Sequence, residues 1–217
     1  ASCQILDFCT EREEIKGEIK QGIVEDTHND LPCSSYEAQY IAQMYGVPEE
    51  QRLRGEAATI DSYKLLLSQV QRLLSTHHAQ SRLDNCMESA LVLADGRLTL
   101  GQLLSPAFRF PDLDEVFIDC CETNLGRAQI SDDVLTLNTG FLCAGARGVI
   151  SSLWSVEDLG TCLFSIFYHQ LRQEGKNRSL ALQLGQRQLR ELTGKELKKK
   201  YKKELEEALD EKLEAVS

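Results

Sequence analysis

The sequence predicts an α/β domain with a mainly parallel central sheet and helices packed on both faces of that sheet. Two observations predict this class. Short apolar runs alternate along the chain with amphipathic stretches of helical period, as in α/β proteins. The run from Glu115 to Ile118 has consecutive apolar residues, which is typical of a strand buried on both faces of a parallel sheet. The length of 217 residues fits one domain with appendages.

Four further segments have the composition of strands and are bounded by polar or glycine-containing turns. They are Gly22 to Val24, Val70 to Ser75, Ser89 to Leu93 and Gly148 to Trp154.

Capping signals place the helices. Ser34 and Glu37 have capping-box spacing ahead of a helix that Gly46 would end. Thr59 can cap a second helix from Ile60 to Ser68. Three more helices are predicted from Asp132, capped by Ser131, to Cys143, from 157 to 173, and from Asn177 to Leu192.

The two ends of the chain are highly charged. We expect residues 1–21 to be a helical lead-in that ends an upstream helical region, residues 22–193 to form the domain, and residues 194–217 to form a charged C-terminal helix. Lysine and glutamate blocks alternate with leucines in that last segment, which favours a solvated helix, with a docking surface as the alternative. The chain begins at Ala1 rather than Met, so we expect a fragment of a longer protein.

Composition argues against several classes of function. A formal net charge of -10 disfavours direct nucleic-acid binding. No apolar run approaches the roughly 18 residues of a membrane span. The eight cysteines lie in apolar, helical and strand-like contexts without a signal peptide, which predicts reduced thiols and a cytoplasmic location. Without a C-x-x-C pair or histidines at i, i+4 spacing, we expect no metal and no cofactor.

Reactive residues follow two of the predicted strands. His77 and His78 come after the run at 73–76, and Cys120 and Cys121 come after the run at 116–118. Ligands bind beyond the carboxyl ends of parallel strands, so both groups are expected in one site. An imidazole can act as base for a thiol nucleophile, and adjacent backbone N–H groups can form an oxyanion hole. Residue types alone leave open the alternative of buried cysteines and structural histidines.

Five blocks of sequence sharpen this interpretation. They are Ser-Thr-His-His-Ala at 75–79, Ser89 to Leu100, Asp119 to Gly126, Gly140 to Val149 and Ser152 to Asp158. In this order they resemble the CHAT domain family of clan CD, caspase-like and separase-like cysteine peptidases, over residues 22 to about 192. The resemblance implies a caspase-like three-layer sandwich and a cysteine endopeptidase that uses a Cys-His dyad.

The resemblance also assigns the dyad. The family's nucleophile precedes Glu-Thr, which corresponds to Cys121 and leaves Cys120 at a position usually held by a small residue. Family members usually have one histidine followed by Gly or Ala. Ala79 and a gapless count back from Ser89 favour His78, and His77 is the alternative base because Thr76-His77 resembles a common variant of the motif.

Three residues are implied in substrate binding. Resemblance to separase implies that the strand around Trp154 pairs with extended substrate and that Asp158 meets a basic P1 side chain. Asp119, two residues before the nucleophile, corresponds to an acidic pocket position of metacaspase-like relatives. The alternatives are a strand-end acid, an acid at a helix N-terminus and an apolar P1 pocket.

Relatives also suggest the partners. CHAT domains often follow helical repeats in bacterial defence or signalling proteins, and one such group is the repeat-linked (TPR-CHAT) protease of RNA-guided type III-E CRISPR complexes. We therefore expect a protein substrate, and activation by an upstream helical-repeat region or by an activating protein complex. One alternative is a catalytically silent CHAT scaffold that acts as a protein-binding module. Another is a hydrolase or redox protein that uses Cys120-Cys121 differently, although adjacent cysteines rarely form an unstrained disulfide.

Overall fold

Five parallel strands form the central sheet of this computed structural model, which describes residues 19–82, 84–120, 136–152, 158–193 and 195. The strands occur in the order β2-β1-β3-β7-β8 across the sheet, and every neighbouring pair is parallel. Their bounds are β1 Gln21–Glu25, β2 Arg52–Arg54, β3 Arg72–Thr76, β7 Glu115–Ile118 and β8 Gly148–Ser151.

A second, smaller sheet and six α-helices complete the described fold. The small sheet is antiparallel and contains β4 Ala79–Gln80, β5 Ala90–Leu93 and β6 Gly96–Thr99. The helices are α1 Pro32–Tyr45, α2 Ile60–Leu67, α3 Leu100–Leu103, α4 Leu137–Ala144, α5 Asp158–Gln173 and α6 Arg178–Glu191, with short 3₁₀ turns at Glu49–Gln51, Gly55–Ala57 and Cys86–Glu88. No helix among these described residues is long and apolar enough to cross a membrane.

Helices cover both faces of the central sheet. Side chains alternate along each strand, so every strand contributes apolar residues to both faces. Ile23, Leu74 and Phe117 are register partners on one face, where they pack against α1, α5 and α6. On the other face, Leu73 and Val116 pack against α2 and α4. The predicted three-layer α/β architecture with a mainly parallel sheet is therefore confirmed.

Two predicted helix starts are wrong. The first helix begins at Pro32, without the capping box of Ser34 and Glu37, because proline at the first helical position needs no N–H partner. The Ser34 hydroxyl instead accepts a hydrogen bond from the backbone N–H of Asp26. The helix predicted from Asp132 begins at Leu137, since Thr136 has an extended backbone with φ -121° and ψ 169°; residues 131–135 lie outside the described part.

The described parts of the other predicted helices and strands are confirmed, with small shifts of bounds; the last two residues of the strand predicted to end at Trp154 lie outside the described residues. Thr59 caps α2 by accepting a hydrogen bond from the Ser62 N–H at 3.2 Å, and Asn177 caps α6 through the Leu180 N–H at 2.9 Å. The predicted strand from Ser89 to Leu93 exists, but it belongs to the small antiparallel sheet. Most of the lead-in predicted at 1–21 and of the charged segment predicted at 194–217 lies outside the described residues. The described end of the lead-in is not helical, because Gln21 already belongs to β1.

A buried ionic cluster joins the amino end of β7 to the last two helices. Glu115 is 2 % exposed and accepts hydrogen bonds from the Tyr168 hydroxyl at 3.0 Å and from Arg178 Nε at 2.9 Å. Arg172 Nη2 lies 3.0 Å from the same carboxylate. Asp114, also buried, forms ion pairs with Arg178, Arg72 and Arg147. The cluster holds α5 and α6 against the amino ends of the strands. The predicted site lies at the opposite, carboxyl ends.

We expect Glu115→Ala to lower the free energy of unfolding by about 3 kcal/mol, because it leaves buried guanidinium groups without their partner. Urea denaturation followed by circular dichroism measures this change. Glu174→Ala, which removes an exposed glutamate at the end of α5, is the matched control and should change stability by less than about 0.5 kcal/mol. Equal stability of the two variants would contradict a structural role for the cluster.

Candidate active site

The candidate site lies at the carboxyl ends of β1 and β3, between which the order of strand connections reverses. The chain passes from β1 to β2 on one side and then returns to β3 on the other side. The segments that follow β1 and β3 therefore diverge, which opens a crevice at the carboxyl ends of these strands. The loop at 26–31 follows β1, His77 and His78 follow β3, and Asp119 and Cys120 follow β7.

His78 is partly accessible and contacts a carboxylate. Its side chain is 23 % exposed, and Nε2 lies 2.9 Å from Oδ1 and 3.0 Å from Oδ2 of Asp30. Its backbone carbonyl accepts a hydrogen bond from the Val92 N–H at 2.9 Å. The His28 ring packs edge-on against the His78 ring, with centroids 6.1 Å apart. The His78 ring thus has a defined partner on one nitrogen and remains within reach of solvent.

His77 is fully buried, and both of its ring nitrogens form hydrogen bonds. Nδ1 lies 3.1 Å from the His78 carbonyl oxygen, which can only accept, so Nδ1 carries the proton. Nε2 then accepts from the Ser75 hydroxyl at 2.8 Å, and the Tyr63 hydroxyl lies 3.2 Å from that of Ser75. Burial lowers the pKa of His77 to about 4. The ring is therefore neutral at pH 7 and acts as a hydrogen-bonded part of the core.

Asp119 and Cys120 are held against the end of β3. The Asp119 N–H donates to the Ser75 carbonyl oxygen at 2.9 Å, and Cys120 Sγ lies 3.5 Å from the same oxygen. The Cys120 side chain belongs to the core on the α2 face and is 6 % exposed. This placement is that of a packed thiol rather than of an accessible nucleophile.

A second carboxyl group lies beside Asp119. Glu37 on α1 is 1 % exposed and accepts a hydrogen bond from the Thr76 hydroxyl at 2.9 Å. Burial, and then the negative charge of Asp119, raise the pKa of Glu37 well above its usual range. The charged form of Glu37 is therefore disfavoured at this position.

The described residues include only part of the predicted site. His77, His78 and Asp119 lie at the carboxyl ends of the parallel strands β3 and β7. Cys121 and Trp154 lie outside the described residues, and Asp158 begins α5 without a described side chain. No group of three or more His, Cys, Asp or Glu side chains among the described residues is arranged to hold a metal ion.

Sequence reasoning missed Asp30, Glu37 and the position of His28 beside His78. For Asp30 and His28 a signal was available, because the segment after β1 starts at the same carboxyl ends of the strands as the segments after β3 and β7. The polar residues at 26–30 therefore belong beside the histidines on the same grounds as the cysteines do. Glu37 gave no such signal, since its spacing from Ser34 indicated a helix cap instead.

A doubly wound parallel sheet with a histidine and acids at the carboxyl ends of neighbouring strands is typical of α/β proteins that bind ligands at this end of the sheet. The chain matches the CHAT domain over residues 19–206. It belongs to the CHAT domain family, a family of caspase-like cysteine peptidases. No curated protein matches the chain.

The buried His77 should make stability depend on pH. Its pKa of about 4 in the folded protein lies below the ordinary value of about 6.5, so the unfolded chain takes up the proton first. The contribution of His77 to the free energy of unfolding is therefore fully present above about pH 6.5. It is lost as the pH falls toward 4, by about 3 kcal/mol in total. We expect His77→Gln to reduce the fall in unfolding free energy over this range, measured by urea denaturation at each pH. The exposed His28→Gln should not, and equal slopes for both variants would contradict the burial argument.

Proposed function

We propose that this protein is a cysteine endopeptidase that cleaves a specific protein partner, with Cys121 as nucleophile and His78 as general base. One observation carries the assignment of the pair. Ser75 of β3 and Ile118 of β7 are register partners. His78 is the third residue after Ser75, and Cys121 is the third residue after Ile118. Neighbouring strands lie about 4.8 Å apart, so equal offsets from a paired position favour side-by-side placement of the two residues.

The environments of the two histidines support His78 as the base. A general base functions best when its pKa is near the working pH, and His77 has a pKa of about 4 with both ring nitrogens engaged inside the core. His78 is partly exposed at the edge of the crevice. The adjacent Cys120 is a core thiol, which supports Cys121 as the nucleophile.

The proposed reaction follows acyl-transfer chemistry. His78 takes the thiol proton of Cys121, and the sulfur attacks the scissile carbonyl carbon. The imidazolium then gives its proton to the leaving amine as the C–N bond breaks, which leaves a thioester. His78 next removes a proton from water, which attacks the thioester and releases the carboxylate and the thiol.

The proposal includes activation by a partner in bacterial defence or signalling. An upstream helical-repeat region or an activating protein complex would switch the site on, as in the TPR-CHAT proteases that the sequence resembles. Ordering of a segment next to an active site is a common switch of this kind. The support for this part is the resemblance of the sequence blocks at 75–158.

Cys121→Ala should abolish cleavage and labelling by a thiol-reactive peptide electrophile, because it removes the nucleophile. His78→Ala should lower the labelling rate by about 10²- to 10⁴-fold, the usual contribution of a general base. Mass spectrometry of the intact protein and of its peptides measures the rate and position of labelling, and needs no knowledge of the natural substrate.

The matched controls are Cys120→Ala and His77→Ala, which remove the same groups one residue earlier and should have smaller effects. A larger loss from His77→Ala than from His78→Ala would reverse the assignment of the base. A parent protein in which Cys121 reacts no faster than a free cysteine would favour the catalytically silent scaffold.

We propose further that Asp119 or Asp158 recognises a basic P1 side chain, and that substrate pairs with the strand around Trp154. The position of Asp119 against the end of β3, where its N–H donates to the Ser75 carbonyl oxygen, supports the first of these. Asp119→Asn or Asp158→Asn should then slow labelling by electrophiles with P1 Arg or Lys by roughly tenfold or more, with little effect on apolar P1 probes. Asp112→Asn, at an exposed position before β7, is the control. A parent protein without preference for basic P1 probes would contradict this specificity.

A further inference from the structure

The contact between Asp30 and His78 joins the two sides of the crevice. Asp30 ends the loop that follows β1, and His78 follows β3 on the other side of the point where the chain reverses its direction. We propose that Asp30 is a positioning residue that fixes the tautomer and orientation of the His78 ring. This inference rests on the proposed function, because the orientation matters for catalysis only if His78 is the base.

The chemistry of the two groups determines the tautomer. Both carboxylate oxygens of Asp30 lie within 3.0 Å of Nε2, and an ionised carboxylate can only accept hydrogen bonds. In the neutral ring the proton is therefore on Nε2, and Nδ1 carries the lone pair that can accept a proton. Among the described residues no hydrogen bond reaches Nδ1, so this nitrogen remains available for the thiol.

The loop that carries Asp30 is fixed by its own hydrogen bonds. Oδ1 of Asp26 accepts from the backbone N–H groups of Asp30 at 2.8 Å and Leu31 at 3.1 Å. The Asp26 N–H donates to the Thr76 carbonyl oxygen at 3.0 Å, which ties the start of the loop to the end of β3. The Thr27 hydroxyl donates to the Val92 carbonyl oxygen at 2.9 Å. Asp30 is thus held against His78 by a loop that is bonded to both β3 and β5.

The alternative is an ordinary surface ion pair. Asp30 is 55 % exposed at its side chain, and such pairs contribute at most about 1 kcal/mol to stability. Stability therefore does not distinguish the two interpretations. A positioning role requires instead that the ring tautomer and the reactivity of Cys121 change when the carboxylate is removed, whereas a surface ion pair requires neither change.

The first experiment is independent of activity. Long-range ¹H–¹⁵N spectra of histidine-labelled protein report which ring nitrogen carries the proton. We expect the neutral His78 ring of the parent to be protonated on Nε2, and Asp30→Ala to yield a mixture of tautomers. Asp84→Ala, which removes an exposed aspartate paired with Arg82, should leave the His78 signals unchanged. A parent ring protonated on Nδ1, or identical spectra for the parent and Asp30→Ala, would overturn the proposal.

The second experiment measures the rate of Cys121 labelling. Asp30→Asn should reduce this rate by roughly 10- to 100-fold, by analogy with the loss of carboxylates that orient metal-bound histidines. Asp84→Asn should retain the parent rate. An unchanged rate in Asp30→Asn, with His78→Ala still inactive, would overturn the positioning role alone. Labelling that does not depend on His78 at all would instead overturn the proposed function.

Discussion

The burial of β1, β3 and β7 on both faces is the constraint on which the other features depend. Ile23, Leu74 and Phe117 form a continuous apolar row on one face of the sheet, and helices cover both faces. Such strands admit few uncompensated polar groups, so the chemistry of the protein is confined to the ends of the strands. The strand register then determines which residues can meet there, since it aligns the end of β3 with the end of β7.

The two ends of the sheet have different electrostatic roles. At the amino end, Glu115 and Asp114 are matched by arginines from the sheet and from α5 and α6, so negative charge is neutralised within the core. At the carboxyl end, burial and the neighbouring Asp119 raise the pKa of Glu37, and His78 contacts the exposed Asp30. The amino end therefore fixes the helices, while the carboxyl end presents His78 and Asp30 to solvent.

Sequence reasoning was most successful where the signal is local. The apolar run of β7 and the Thr59 cap of α2 each depend on residues within one element, and both are confirmed. The helix start at Pro32 was missed because Ser34 bonds to Asp26 and Thr76, which only the folded chain brings close. The contact between Asp30 and His78 joins residues far apart in sequence; the predicted sheet places both segments at the same strand ends, but only the folded chain shows which side chains meet there. The placement of Cys121, Trp154 and the Asp158 side chain stays a prediction.

Two adjacent histidines have different environments because β3 ends immediately before them. His77 continues the alternation of the strand, and its ring lies on the same face as Ser75 and Tyr63, inside the core. His78 is displaced from that face, and its carbonyl starts the pairing with Val92. The hydrogen bond from His77 Nδ1 to this carbonyl fixes the backbone that carries the His78 ring. A neutral, buried histidine can thus support the geometry of an accessible one, at the cost of lower stability in acid, and neither residue can replace the other.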